Sequence, residues 1–160
     1  MPWMTLASAV VGAFIATASA ALLDRSRWRR EQDDRLISAR RALYSEYLTC
    51  LSQARNDFRS LARNQTVSLP ERERSARDSF ARCYDVRYQM SITAAANVFA
   101  ASEDAFRRLR DMRDLAAAGA LAADEAYAGG RADYEAALTR LRDAMRLDLG
   151  ANREPTTGPS

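Results

Sequence analysis

From Asp24 to Asn64 the chain contains neither glycine nor proline. A run of that length without a backbone breaker, rich in Ala, Arg, Leu and Glu, favours one long helix over any alternative. Within it, Ile37, Tyr44, Tyr47 with Leu48, Leu51, Ala54, Phe58 and Leu61 recur in steps of three, four and seven, which places them on one helical face. At 1.5 Å per residue the helix reaches about 60 Å.

The residues preceding this helix differ in kind. Residues 1–23, MPWMTLASAVVGAFIATASAALL, carry no charged side chain, and Met4 to Leu23 has the length that crosses a hydrocarbon core as a helix. The segment is followed at once by Arg25, Arg27, Arg29 and Arg30, with Trp28 among them and Trp3 at the far end, an arrangement of interfacial anchors. We therefore expect a transmembrane anchor over 1–23 and a basic juxtamembrane helix over 24–41. The positive-inside rule puts the N-terminus outside and the body in the cytoplasm, a single-pass protein of the cell membrane. Ser8, Gly12, Ala16 and Ala20 form a stripe of small residues through which two such spans could pack. The competing reading is a cleaved signal peptide, since Ala18-Ser19-Ala20 fits a cleavage site. It is disfavoured because no Lys or Arg precedes the apolar run.

Charge is balanced elsewhere. All 24 basic residues are arginine, and there is no histidine. Residues 24–41 hold seven arginines against four acids, whereas residues 42–160 hold 17 of each. The net charge of +3 thus lies wholly beside the apolar N-terminus, and a nucleic-acid footprint on the body is not expected. Lipid headgroups are the expected partner of the arginine cluster.

Beyond Asn64 the pattern breaks. Ser68 and Glu71 read as a capping box with Pro70 in the first turn. The helix that follows presents Ala76, Phe80, Cys83, Val86 and Met90 on one face, with Glu73–Arg77 and Asp78–Arg82 spaced for i,i+4 pairing. Residues 86–93 alternate as a strand would, but no second strand is available to pair with them. A break near Ser91–Thr93, capped by one of those residues, is expected instead. Val98, Phe99, Ser102, Phe106, Leu109 and Met112 continue the apolar face, and Glu103–Arg107 and Asp104–Arg108 are spaced to pair. Residues 116–120 read as a turn and Gly129-Gly130 as a second weak point. The last helix carries Tyr127, Tyr134, Leu138, Leu141 and Met145 and stops at Gly150. The fold expected is all-α: a transmembrane helix continuing into a long antiparallel, coiled-coil-like bundle over 42–150. The bundle has three helices, or four if the middle one is broken near 91–93, and residues 151–160 form a disordered tail.

Cys50 and Cys83 are the only cysteines, and they stand at matching distances before and after a turn near residue 67. They are expected at one level of the hairpin, as two buried thiols in a cytoplasmic body or as a disulfide in an exported one.

Other chemistries lack their residues. Without histidine there is no imidazole base and no Glu-x-x-His metal pattern. Without lysine, a Schiff base has no amine and a phosphate loop lacks its lysine. No catalytic, cofactor or metal residue is assigned and no small-molecule substrate is evident. An enzyme would have to rely on carboxylates, Tyr or Ser.

The apolar span, Arg25-Ser26-Arg27-Trp28-Arg29-Arg30-Glu31, Arg40-Arg41-Ala42-Leu43-Tyr44-Ser45-Glu46-Tyr47-Leu48 and the closing Ala144-Met145-Arg146-Leu147-Asp148-Leu149-Gly150 together resemble a class of small actinobacterial-type single-pass membrane proteins. That class has an Arg/Ala-rich helical cytoplasmic domain and no established activity. The resemblance implies anchor, orientation and helical fold, and no mechanism. The expected function is that of a membrane-tethered, non-enzymatic interaction or scaffold protein that meets a protein partner or copies of itself. The alternative is an exported, envelope-side helical protein with a Cys50–Cys83 disulfide.

Overall fold

The computed structural model describes the backbone of residues 3–150 and the side chains of residues 28–150. Four helices make up the fold: α1 (Trp3–Arg63), α2 (Leu69–Thr93), α3 (Ala96–Ala117) and α4 (Glu125–Asp148). Among the described residues there is no strand. The chain divides into two units, Met1–Ala39 and Arg40–Ser160. In the first, the described side chains of residues 28–36 are exposed, Trp28 by 68%. The stretch read as a membrane span, residues 4–23, falls where side chains lie outside the described residues, as do Trp3, Arg25, Arg27 and the small-residue stripe. Among the residues described, no helix is long and apolar enough to cross a membrane. The tail over 151–160 also lies outside them.

The second unit is a four-helix bundle whose neighbours are all antiparallel. Cys50 of α1 faces Cys83 of α2, Arg87 of α2 reaches Glu103 of α3, Asp104 of α3 meets Arg140 of α4, and Asp148 of α4 returns to Arg40 of α1. The ring is therefore closed, and each helix buries the stripe that its periodicity marks. Tyr47, Leu51, Ala54 and Phe58 from α1 meet Ala76, Phe80, Cys83 and Met90 from α2, Val98, Leu109 and Met112 from α3, and Tyr134 and Leu141 from α4 in one core. Complete burial of one such side chain stabilises the fold by about 1.5–3 kcal/mol. Phe80 is central to an aromatic group, 4.7 Å from Phe106 and 6.1 Å from Phe58 between ring centroids. The guanidiniums of Arg87 and Arg113 lie over the Phe106 and Phe80 rings at 4.8 and 5.2 Å, closing the cluster against water.

The middle of the chain is two helices, and the break falls later than the sequence suggests. α2 runs through Ser91 and Thr93, and the chain turns at Ala94 and Ala95, both extended. Neither Ser91 nor Thr93 caps α3; its N-cap is Ala95, with no side-chain cap. The break is fixed instead on its α2 side: the Ala94 amide closes the last turn of α2 on the Met90 carbonyl, and the Arg40 guanidinium donates to the Thr93 carbonyl. Nor do Gly129 and Gly130 interrupt α4. A β-carbon at Gly130 would stand 3.4 Å from Leu115 and 3.6 Å from Met112, ordinary van der Waals contact, so the helix at that point does not depend on glycine. Gly150 ends α4 with φ of 72°, the left-handed stop expected of it.

At the opposite end, the turn between α1 and α2 is held by Arg72, only 3% exposed. Its guanidinium donates to the carbonyls of Val67, Leu61 and Asn64. These include carbonyls that the end of α1 would otherwise leave unsatisfied, and the helix dipole there favours a cation. Ser68 and Glu71 form the expected reciprocal cap: the Glu71 carboxylate accepts the Ser68 amide at 3.2 Å and its hydroxyl at 2.8 Å.

Replacing Arg72 with Ala should strand several buried carbonyls and cost about 2–4 kcal/mol in equilibrium denaturation. Arg72→Lys, which has no fork, should recover less than half of the loss.

Candidate functional site

The polar groups of the bundle gather at three levels. The deepest is the thiol pair. Cys50 and Cys83 stand where α1 and α2 cross with little between them, and their sulfurs are 3.0 Å apart and buried. The matching spacing about the turn thus brings the pair together, with both thiols free. Burial first, and then the neighbouring Cys50, push the Cys83 thiol well above its usual range, which suppresses the thiolate that nucleophilic and metal chemistry needs. Tyr47 is buried beside the pair, and its hydroxyl donates to the Ser102 carbonyl at 3.3 Å. Ser102 itself, the small polar member of the α3 stripe, donates to the Phe99 carbonyl at 2.7 Å. Burial likewise raises Tyr47 and Tyr134, so both phenols stay protonated. Among the described residues the hydroxyls of Tyr127 and Tyr134 meet no hydrogen-bond partner. This core can hold two thiols in reach of each other, and its phenols supply no base.

The second level is a clasp at the end of the bundle where α1 enters. Asp148 accepts from Arg40 at 3.0 Å and from the Tyr44 hydroxyl at 2.7 Å, while Arg40 also donates to the Thr93 carbonyl. One carboxylate and one guanidinium thereby tie together α1, the end of α2 and the end of α4. Burial, and then the bond to Asp148, push Tyr44 up to about 12.

The third level is the surface, where bridges between helices displace pairs that spacing within one helix suggests. Glu73–Arg77 forms at 2.5 Å. Arg82, however, turns to Glu46 of α1 rather than to Asp78. Glu103 takes a two-pronged bond from Arg87 at 2.6 and 2.8 Å rather than from Arg107. Asp104 meets Arg108 at 3.8 Å and Arg140 of α4 at 2.7 Å. Among the described residues, hollows open on this surface. One, of about 370 Å³ between α2 and α3, is lined by the opposed charges of Glu73, Arg77, Arg113 and Asp114. Another, of about 510 Å³ along α1, is lined by Asn56, Arg59, Ser60, Arg63 and Asn64 and has no acid in its wall. Among the described residues no group of three or more Cys, Asp or Glu could hold a metal.

Of the residues singled out from sequence, the structure thus brings Cys50 and Cys83 together. It leaves Trp28, Arg29 and Arg30 on the exposed part of α1. Sequence reasoning did not find Arg72, the Arg40–Tyr44–Asp148 clasp or the arginine-lined hollow. Arg72 carried one signal, a lone basic residue two positions after a helix-opening proline. Compared with family models, with curated proteins and with solved structures, the chain matches none.

The Arg87 fork holds Glu103 below the usual carboxylate range, against the opposing effect of burial. A depressed acid stabilises the fold above its unfolded pKa, about 4.3, and that contribution is lost as pH falls through the folded value. Both side chains are about one-third exposed, so the effect is at most about 1 kcal/mol. Glu103→Gln should therefore lower the denaturation midpoint at pH 7 and leave it near wild type at pH 3.

Proposed function

We propose that the protein is a membrane-tethered, non-enzymatic helical interaction protein of the cell membrane, oriented with its bundle in the cytoplasm. The observation that carries the reading is the continuity of α1. One helix supplies about a third of the buried core residues and extends N-terminally to Trp3, through the arginine cluster and the uncharged residues 4–23. Support also comes from the disposition of many of its ionisable groups, which serve as bridges and clasps between helices. The arginines behind the apolar run set its orientation and meet anionic headgroups. Its partners are lipids together with a protein partner or a second copy of the chain.

A second reading, an exported envelope-side bundle, is favoured by one observation, the 3.0 Å approach of the Cys50 and Cys83 sulfurs. In an oxidising compartment the two thiols would lose two protons and two electrons to a disulfide-bearing oxidant and form a cross-link.

A reporter fused to the C-terminus distinguishes the two. The first reading expects carbonate-resistant membrane association and a reporter active only in the cytoplasm, with orientation bias weakened when Arg25, Arg27, Arg29 and Arg30 are replaced by Gln. It also expects both thiols to be alkylated after denaturation without reductant. A soluble protein beginning at Ala21 with alkylation-resistant cysteines would replace the first reading with the second.

A further inference from the structure

Arg55, Arg59 and Arg63 follow one another at intervals of four, so their side chains rise from one ridge of α1 over about 12 Å. Arg131 of α4 belongs to the same group: the charges bearing on the Tyr127 hydroxyl are those of Arg131, Arg59, Arg55 and Arg63. Against these four cations stands one carboxylate, Glu135, 3.9 Å from Arg55 and more than half exposed. Among the described residues, Arg59, Arg63 and Arg131 form no ion pair, although the α1–α4 seam is bridged by arginine and a carboxylate at Arg55–Glu135 and at Arg40–Asp148.

The end of α1 has no use for these cations as caps. Its Leu61 and Asn64 carbonyls are taken by Arg72, the Ser60 carbonyl by the Asn64 amide and the Ala62 carbonyl by the Ala122 amide. Like charges one turn apart repel, so the row carries an electrostatic cost within the fold. The hollow of about 510 Å³ beside it adds Asn56, Ser60 and Asn64, which donate as well as accept hydrogen bonds.

We propose that the α1–α4 arginine ridge is the docking surface for an acidic helical segment of a protein partner, with carboxylates spaced one turn apart to match Arg55, Arg59 and Arg63. The planar guanidinium fork suits a carboxylate two-pronged, as Arg87 already shows with Glu103. A short acidic segment fits better than a long polyanion. Charge over residues 42–160 is balanced, so the bundle exerts no broad attraction on a nucleic acid, and the wall of the hollow holds no aromatic ring on which bases would stack. This names the partner class for the interaction protein proposed above and takes its cellular setting from that reading; the binding itself is independent of topology.

The test uses the full chain in uncharged detergent micelles and a fluorescent helical peptide with Glu at i, i+4 and i+8, read by anisotropy. Binding should weaken at least about tenfold in Arg59→Glu/Arg63→Glu, as expected when like charges are set across an interface. Arg59→Gln/Arg63→Gln should lose less, and Arg74→Glu/Arg110→Glu, which reverses two exposed arginines elsewhere, should bind as wild type. Thermal unfolding by circular dichroism establishes that each variant is folded; if the double reversal is not, the Gln pair carries the comparison. Equal binding by the ridge variants, or equal binding of a peptide with Gln in place of Glu, would overturn the proposal. So would displacement of the peptide from the ridge by an equally charged single-stranded DNA at lower concentration. None of these results bears on where a C-terminal reporter is found, so the docking surface and the tether fail separately.

Discussion

The fold depends on four apolar stripes closing into one ring, and α1 carries the stripe on which closure turns. Tyr47, Leu51, Ala54 and Phe58 are buried completely. An isolated helix draws little stability from its own hydrogen bonds in water, so this part of α1 is held by packing. The small side chains of Ala54, Ala76 and Ala105 are buried in the same core as the large ones of Tyr47, Phe80 and Tyr134. Large and small residues mixed in this way give interdigitated layers.

The two ends of the ring are closed by arginine, each in a different way. Arg40 works through a carboxylate, Asp148, and a helix-end carbonyl. Arg72 works through carbonyls alone and carries its charge into a buried turn. A guanidinium suits both positions because its planar donors satisfy several acceptors and it keeps its charge at any physiological pH. With histidine and lysine missing, the same side chain caps, bridges, covers aromatic rings and lines the α1–α4 ridge, and its neighbours decide which role it takes.

Much of the bundle was legible in the sequence because helical periodicity is local. The stripes on α2 and α4 are buried as read, and Gly150 stops α4 as read. The cysteines meet because two antiparallel helices of known rise convert equal distances from a turn into equal heights. Partners from distant positions were not legible. Ser91 and Thr93 are better caps than Ala95, yet Arg40, some fifty residues away, stabilises a break at the alanines. Glu103 could have paired with Arg107 one turn on, but the two-pronged bond to Arg87 wins. The arginine ridge escaped notice because three residues of α1 and one of α4 become a surface only once the ring is closed. The side chains of the small-residue stripe and of the aromatic anchor at Trp3 lie outside those described.

Amide hydrogen exchange on the full chain, resolved along α1, tests the central claim most directly. If α1 is an integral part of the core, amides of residues 43–62 should exchange in the slowest class, together with residues 105–116 of α3 and 134–145 of α4, and lose protection with them as denaturant rises. Rapid exchange over 43–62 while α2, α3 and α4 remain protected would mean that the core closes without α1, and would contradict the account.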